Sequence, residues 1–440
     1  MAEYAFFWGC QIPFRFAFME KSTRTVLPQL GINARDLDGL TCCPEKALIK
    51  TMDKFAWFLT AARNLAIAEK AGCDFLVICN GCSSSLKTAA KELRWNVELN
   101  QQINQRLATV GLEYTGKAKV RHIVEVLADE VTPEVIKARM VKPLRGMKIG
   151  IHYGCHMMRP SDAVQVDDPL KPRKYDLLIE ALGAKSIDYS SKLLCCGNGF
   201  NVANENEESV LAVRKKLNDL SAAQADAMTV SCPACFMQYD GKQYILQRNG
   251  EQFDIPVLTL LELIGLSLGV SREELGVDKH RVSTDSFFNK WDKNFDELVK
   301  IEKNIDMKVL QDCYNCGSCT FDCPAATICK DFDPRELVGR LLAGDIEGLI
   351  TDPKIWECLE CHTCSEMCTQ NFGMEKVFSL LKHLAVQRGV MPAPAQAGID
   401  IFKKTGKLGE PNMGQRRKMG LGDFPASGQE ELLKLLKNDD

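Results

Sequence analysis

The sequence predicts two successive α/β units with parallel sheets, related by an internal duplication, followed by an all-α unit. Three observations predict this architecture. Ten cysteines form two sets of five, in which four members recur at an offset of 153 residues and the first member at 145. Short apolar runs typical of buried strands alternate with helical stretches over the same region. Two dense four-cysteine runs then follow, with helical periodicity between and after them.

Each set joins one early cysteine, an adjacent pair and a Cys-x-x-Cys motif, with 35 residues between pair and motif in both copies. Apolar strand-like runs lead into these cysteines at 4–10, 74–79, 148–155 and 227–232, and helical stretches lie at 53–71 and 210–225. Ligands bind at the carboxyl ends of strands in such sheets, so the cysteines fall where a site is expected. The two sets are Cys10, Cys42, Cys43, Cys79 and Cys82, then Cys155, Cys195, Cys196, Cys232 and Cys235.

Composition excludes several classes of protein. The 440 residues carry a net charge of −3, which gives no polycationic surface for coating nucleic acid. The start shows no basic segment ahead of an apolar stretch, so no secretory signal is expected. The most apolar run, 255–270, contains Pro256 and Glu262, is too short to span a bilayer, and is predicted to be an amphipathic or buried helix. We expect a cytoplasmic protein without a membrane span, whose high number of cysteines, 20, serves metal binding or catalysis rather than disulfides.

Cysteine spacing in the third region predicts two [4Fe–4S] clusters. The pattern Cys-x2-Cys-x2-Cys-x3-Cys occurs twice, and it is the bacterial ferredoxin run, in which the fourth cysteine ligates the other cluster. The predicted ligands are therefore Cys313, Cys316, Cys319 and Cys368 for one cluster, and Cys358, Cys361, Cys364 and Cys323 for the other. Two Cys₄ zinc sites are the alternative, disfavoured because zinc modules rarely carry a third cysteine at this spacing.

The residues around these two runs are helical in character. Asp333 is a predicted N-cap with Pro334 at the first helical position, and apolar residues repeat at helical spacing over 377–384. These patterns indicate an α-helical ferredoxin rather than the small β-rich type.

The predicted domain organisation has five parts. A first α/β domain spans 1–145, a second 146–270, a linker 271–306, the helical ferredoxin domain 307–390 and a C-terminal extension 391–440. The extension carries a basic patch, which is predicted to lie on the protein's surface or on a partner rather than to bind nucleic acid. The patch consists of Lys403, Lys404, Lys407, Arg416, Arg417 and Lys418.

The two five-cysteine sets resemble the paired CCG domains of the catalytic B-type subunit of heterodisulfide reductase. Local strings agree as well: FWGC at 7–10, CNGC at 79–82, HYGCH at 152–156, CCG at 195–197 and CPAC at 232–235. Residues 307–390 resemble the C-type subunit of the same enzyme, so the chain is similar to a B–C fusion over about 4–390. The resemblance implies two CCG domains related by a pseudo-twofold axis and a noncubane [4Fe–4S] cluster at each complete five-cysteine set, besides the two cubane clusters. Pro44 follows Cys43 where the second copy has Gly197, which is a departure between the copies.

The resemblance also implies a function. The chain would be an iron–sulfur oxidoreductase subunit that acts on a sulfur group, reducing a disulfide such as the coenzyme M–coenzyme B heterodisulfide of methanogens. No Gly-rich dinucleotide or Walker signature occurs, so flavin or nicotinamide is not expected on this chain. Electrons would come from a flavin- and iron–sulfur-containing partner that resembles the A-type subunit, with hydrogenase or formate dehydrogenase subunits as further candidates.

Two alternative functions stay open from the sequence. The chain could be an electron relay in a flavin-based bifurcating complex that serves another reductase, without a disulfide substrate of its own. It could also be a zinc-stabilised scaffold, which would be colourless.

Several residues near the cysteine sets have two interpretations. His152 and His156 flank Cys155 and could donate hydrogen bonds to cluster sulfur or substrate, or could be structural. Cys73 and Cys329 fit no set and are predicted to be packed or spare thiols.

Overall fold

The computed structural model divides the chain after Glu297 into two compact units. It describes residues 3–44, 46–368, 372–409, 412–423 and 428–435. The first unit contains two four-stranded sheets, whereas the described residues of the second unit form helices and turns without a strand. The predicted fold class, duplicated α/β domains followed by an all-α domain, is confirmed.

Both sheets are parallel throughout and have the same strand order. The order is β2-β1-β3-β4 in the first sheet and β6-β5-β7-β8 in the second. The strands are β1 (Tyr4–Phe7), β2 (Ala34–Arg35), β3 (Asp74–Val77), β4 (Val120–His122), β5 (Lys148–His152), β6 (Lys185–Ile187), β7 (Ala227–Val230) and β8 (Val257–Thr259). The central strands are almost wholly buried, as their apolar runs require. Their carboxyl ends therefore meet at one edge of each sheet.

Helices connect and cover these strands. Those of eight or more residues are α1 (Ala17–Val26), α2 (Lys54–Lys70), α3 (Asn80–Trp95), α4 (Val97–Ala108), α5 (Lys174–Ala181), α6 (Asn206–Ala222), α7 (Leu260–Ser267), α8 (Asp285–Asn304), α9 (Met307–Cys316), α10 (Pro334–Leu342), α11 (Met374–Gln387) and α12 (Ala393–Thr405). Asp53 caps α2 by accepting the Ala56 N–H at 2.8 Å. None of the described helices is long and apolar enough to cross a membrane.

The apolar run 255–270 does not form the single helix predicted for it. Residues Val257–Thr259 form strand β8, and the chain then turns into α7. Thr259 begins the helix through a capping box with Glu262, in which each side chain bonds the other residue's backbone N–H. A buried strand and a buried helix segment have the same apolar composition, so composition alone could not separate them.

The second unit has its own hydrophobic core, formed by α10, α11 and their neighbours. Asp333 caps α10 as predicted, accepting the Arg335 N–H at 2.8 Å. In the C-terminal extension, α12 is followed by short helices at Met413–Lys418 and Gln429–Leu435. The two α/β repeats share one continuous core. The domain boundaries at 145, 270, 306 and 390 stay predictions.

A largely buried ion pair of the first repeat also contacts the second repeat. Lys87 on α3 lies 2.6 Å from the Glu125 carboxylate, with side chains only 10% and 6% exposed. The Lys87 ammonium also donates to the Val164 carbonyl of the second repeat at 2.7 Å. Glu125 in turn accepts the His122 N–H at the end of β4. The pair therefore ties helix α3 to both halves of the core.

We expect Lys87→Met to lower the free energy of unfolding by about 3 kcal/mol, because it leaves the buried Glu125 carboxylate with only the more distant, partly exposed Arg121 guanidinium, 3.9 Å away. Chemical denaturation followed by circular dichroism under anaerobic conditions measures the loss. Lys91→Met, one turn along α3, removes an ion pair to Asp162 in which the side chains are 36% and 69% exposed. This control should cost less than about 1 kcal/mol. Equal losses in the two variants would contradict the assignment.

Candidate metal centre

The ten cysteines of the two sets converge at the carboxyl ends of the strands. Cys10 follows β1 and Cys79 follows β3, and in the second repeat Cys155 follows β5 and Cys232 follows β7. Each adjacent pair lies on the loop after the outer strand β2 or β6. Cys79 and Cys82 bracket the first turn of α3, where the positive end of the helix dipole favours anionic sulfur.

The ten thiols form one continuous series of neighbours, in which each influences the pKa of the next. Their order is Cys10, Cys42, Cys43, Cys82, Cys79, Cys232, Cys235, Cys196, Cys195 and Cys155. The two sets meet at Cys79 and Cys232, whose sulfurs are 3.9 Å apart. At the far end of the second set, the Cys195 and Cys155 sulfurs are 3.7 Å apart. The series is symmetric about the contact between Cys79 and Cys232, as a duplicated unit with a pseudo-twofold axis requires.

Interactions between neighbouring thiols raise the pKa of some of them and lower the pKa of others. Hydrogen bonds from both neighbours lower the pKa of Cys43, Cys195 and Cys232. Donation to a neighbouring sulfur, together with burial, raises the pKa of Cys79 and Cys82. Thiols this crowded can all be deprotonated only when cations neutralise the resulting thiolates.

The donor set fits an iron–sulfur cluster in each repeat better than a zinc ion. Zinc in a structural site takes four ligands in a tetrahedron, whereas each set supplies five thiols. Iron–sulfur clusters are held by cysteine thiolates and present several metal atoms to them. All ten thiols line one cavity of about 330 Å³, together with Trp8, Gln11, Asn80, Gly81, His156, Asn198, Gly199, Pro233 and Ala234.

Two glycines keep the backbone close to the sulfurs. Gly9 has φ +66°, and a Cβ there would lie 2.6 Å from the Cys82 sulfur. Gly154, with φ +76°, is its counterpart in the second repeat, where a Cβ would lie 2.6 Å from the Asn80 amide nitrogen and 3.5 Å from the Cys235 sulfur. A side chain at Gly9 would displace a cysteine sulfur, and one at Gly154 would displace the Asn80 amide that links the repeats.

The two histidines singled out in the sequence lie in different environments. His152 is 1% exposed, and its ring contributes to a group with the Cys196 and Cys235 sulfurs whose ligand atoms all lie within 4.8 Å. Burial lowers the pKa of His152, so the ring is neutral, and its Nε2 has no hydrogen-bond partner within the described residues. His156 lines the cavity. His152 therefore contacts the second set from behind, while His156 faces the open space.

A buried polar network between the repeats was not predicted. Asn80 is 2% exposed; its Oδ1 accepts from Ser231 and from His122 Nε2 at 3.0 Å each, and its Nδ2 donates to the Tyr153 carbonyl at 2.8 Å. His122 Nδ1 accepts the Val124 N–H, so the ring proton is on Nε2. Burial lowers the pKa of His122 to about 3, which keeps the ring neutral. The one sequence signal was the position of Asn80 inside the first Cys-x-x-Cys.

In the second unit, four cysteines from both ferredoxin runs line one small cavity. They are Cys323, Cys358, Cys361 and Cys364. The buried Glu375 carboxylate lies 3.0 Å from the Cys364 sulfur and also accepts from Ser365. Burial and this hydrogen bond raise the pKa of Cys364 to about 12.

The other predicted set is described in part. Cys313 and Cys316 lie in the last turn of α9, and Cys368 accepts the Phe372 N–H at 3.3 Å. The turn Ser318–Thr320 contacts the short helix Thr363–Glu366 of the second run. The side chain of Cys319 lies outside the described part of the chain.

The two spare cysteines lie apart from these sets. Cys73 is buried and accepts hydrogen bonds from the Arg35 guanidinium at 3.0 and 3.2 Å. Cys329 packs against the helical core of the second unit.

Comparisons with known proteins agree with the duplicated site. The CCG cysteine-rich domain model matches residues 4–87 and again 149–240. The B subunit of the ferredoxin/F(420)H(2)-dependent CoB–CoM heterodisulfide reductase from Methanosarcina acetivorans is 38% identical over 292 residues, 66% of this chain and 97% of that protein. The C subunit of the H(2):CoB–CoM heterodisulfide,ferredoxin reductase from Methanothermobacter thermautotrophicus is 30% identical over 156 residues, 33% of this chain and 82% of that protein.

A solved structure shares the fold. The crystal structure of a hypothetical protein from Helicobacter pylori has a TM-score of 0.51 and 14% identity, covering 64% of this chain and 52% of that one.

We expect Gly9→Ala to lower the iron bound per chain, because the new methyl group would displace the Cys82 sulfur, which is held between Cys43 and Cys79. Iron analysis of anaerobically purified protein measures the loss. Gly31→Ala is the matched control, since Gly31 also has a left-handed φ, +81°, but no atom within 4 Å of the new Cβ. Gly31→Ala should keep its iron. A Gly9→Ala protein with the full iron content would contradict the tight placement of Cys82.

Proposed function

Because the chain belongs to the heterodisulfide reductase family, with similarity to both the B-type and the C-type subunits, we propose that it reduces a disulfide inside a larger electron-transfer complex. It is an iron–sulfur oxidoreductase subunit. The proposed substrate is a mixed disulfide such as that of coenzyme M and coenzyme B, the compound named in both relatives. The proposed electron donor is a partner subunit that carries flavin and iron–sulfur clusters.

One observation carries this proposal: two complete five-thiol sets meet at a pseudo-twofold axis and line one cavity. A disulfide has two chemically equivalent sulfur ends, and its cleavage to two thiols takes two electrons. A site with two equivalent metal-binding halves that open into the same space suits such a substrate. A single four-cysteine site would offer one point of attack.

The proposed ligands follow the two sets and the two ferredoxin runs. Each five-cysteine set would hold one noncubane [4Fe–4S] cluster, and the eight cysteines of the helical unit would hold two cubane clusters. When bound, the clusters would supply one-electron carriers that connect the partner to the cavity and deliver one electron to each sulfur of the disulfide.

The chain's own residues would bind and orient the substrate. Gln11 and His156 each follow the first cysteine of a set and both line the cavity, so they occupy equivalent positions in the two repeats. Gln11 Oε1 is buried without a hydrogen-bond partner among the described residues. An unsymmetrical disulfide would therefore meet an amide at one end and an imidazole at the other. This difference favours one direction of binding.

The relay function is the second candidate, and one observation favours it. The C-type relative from Methanothermobacter thermautotrophicus is named for two acceptors, the heterodisulfide and ferredoxin. A complex that divides electrons between acceptors needs a conducting subunit, and this chain could fill that role in a flavin-based bifurcating complex without a disulfide substrate of its own.

We expect anaerobically prepared protein to contain about 16 iron atoms and a similar number of labile sulfides per chain, since four clusters of the [4Fe–4S] type hold four irons each. Metal analysis and a sulfide assay provide the measurement. Stoichiometric zinc with little iron would instead identify a scaffold and would exclude electron transfer by the cysteine sets.

We expect the protein, reduced by a viologen dye, to convert the coenzyme M–coenzyme B disulfide to two thiols for every two electrons. Cys196→Ser should abolish this turnover, because it removes a ligand of the second set, while the clusters of the helical unit stay reducible. Cys73→Ser is the matched control: Cys73 is also buried, but it bonds Arg35 rather than the thiol series. Thiol release and dye oxidation are measured together.

The same assay separates the two candidate functions. Protein with all four clusters that neither turns over the disulfide nor changes its paramagnetic signals on addition of either thiol would favour the relay function. Turnover retained in Cys196→Ser would contradict the assignment of the second set.

A further inference from the structure

A fully buried lysine lies behind the second five-cysteine set. Of the lysine and arginine side chains in the described ranges, only that of Lys216 is buried in the core. Its ammonium donates to the carbonyls of Ser191 and Lys192, and lies 5.2 Å from the centre of the Tyr189 ring. It forms no ion pair with any carboxylate of the described residues. Burying an unpaired cation is costly, so its position calls for a compensating interaction.

Helix α6, which carries Lys216, packs against the residue that follows the cysteine pair of the second set. Ser209 donates to the Gly197 carbonyl at 3.1 Å, and a Cβ on Gly197 would lie 2.8 Å from that of Ala212. Gly197 directly follows Cys196. Lys216 is one turn beyond Ala212 on the same face of α6, and the carbonyls that it binds precede the cysteine pair by only a few residues.

The thiols and the lysine influence one another. Burial lowers the pKa of Lys216 to about 7, while negative charge at Cys235, Cys196 and Asp219 raises it. The Lys216 charge in turn contributes, after burial, to the lowered pKa of His152. A thiolate-ligated cluster at the second set would therefore help keep Lys216 protonated and would add to the compensating charge of Asp219.

The first repeat lacks a buried cation at the equivalent position. Arg63 occupies it at the offset of 153, and its guanidinium donates to the Gly39 carbonyl at 2.8 Å. Arg63 is partly exposed, so water screens its charge from the first set. Both cations donate a hydrogen bond to a carbonyl of the loop that leads to the cysteine pair. Only Lys216 is buried in the low-dielectric interior.

We propose that Lys216 makes the second five-cysteine site easier to reduce than the first and thereby sets the order in which the two sites take up electrons. A fixed positive charge in the interior favours the state with one more electron, because that state is more negative. Each site would take up one electron supplied through the helical unit, and no bond would form or break at Lys216. Lys216 is a positioning residue, and this inference rests on the proposed function, since it requires a cluster at each set.

The experiment is an anaerobic redox titration of the full-length protein followed by electron paramagnetic resonance. Lys216→Gln keeps a donor for the two carbonyls but removes the charge, whereas Lys216→Arg keeps the charge. Lys215→Gln is the matched control, because Lys215 is adjacent in sequence but 59% exposed in a weak pair with Asp219. The signal that disappears in Cys196→Ser identifies the second site.

In Lys216→Gln we expect the reduced-to-oxidised ratio of the second site to fall about tenfold at the wild-type midpoint potential. This corresponds to a midpoint potential lower by about 59 mV for a one-electron couple. The first site should titrate as in the wild type. Lys216→Arg and Lys215→Gln should leave both sites unchanged. The melting temperature and the iron content of each variant are measured alongside, so that a loss of stability is not mistaken for a change in potential.

Two outcomes would overturn the inference while leaving the proposed function intact. One is a Lys216→Gln protein with full iron and unchanged potentials. The other is loss of iron from the second set in both Lys216→Gln and Lys216→Met, with iron retained in Lys216→Arg. The charge of Lys216 would then be needed only for assembly of the site. An unmodified protein without a cluster at the second set would instead refute the proposed function.

Discussion

The contact between the Cys79 and Cys232 sulfurs, where strands β3 and β7 end, is the constraint on which the rest of the site depends. It forms because two parallel sheets of identical strand order bring their carboxyl ends together within one hydrophobic core. The other eight thiols extend from this contact in opposite directions. Asn80 fixes the relative position of the repeats there, since its amide bonds Tyr153 and Ser231 of the second repeat and His122 of the first.

Duplication supplied two equivalent sulfur sets, and the polar residues around them then became different. The position of Asn80 in the first Cys-x-x-Cys corresponds to Pro233 in the second, which has no polar side chain to bridge the repeats. In the cavity, Gln11 is matched by His156. The cysteine sets are thus symmetric and their surroundings are not, which would suit the proposed substrate, a disulfide with two different substituents.

The two units place charges of opposite sign near their cysteines. In the first unit, a buried lysine, Lys216, and a neutral histidine, His152, lie near crowded thiols, and an anionic cluster would add negative charge beside the lysine. In the second unit, a buried carboxylate, Glu375, hydrogen-bonds Cys364 directly. Negative charge next to one set of thiols and positive charge behind another would give the metal sites different reduction potentials. Such a difference provides direction to a series of one-electron steps.

The sequence by itself determined the fold class, the duplication and the cysteine sets, because each depends on spacing along the chain. Strands that end at a cysteine and helices of period 3.6 are local patterns, and the repeat offset of 153 needs no tertiary information. The predicted N-cap Asp333 belongs to the same class of local signal. The apolar run 255–270 was assigned wrongly, because a buried strand and a buried helix share its composition.

Only the tertiary structure decided how the two sets meet and which polar residues surround them. Asn80 is 42 residues from His122 and 151 from Ser231, and no pattern along the chain relates these positions. Lys216 resembles its neighbour Lys215 in sequence, yet one is buried behind the second set and the other is exposed. The rotation of α6 about its own axis decides which of the two lysines faces the loop that carries Cys195 and Cys196. Side-chain packing between distant segments sets this rotation, and residue type alone does not encode it.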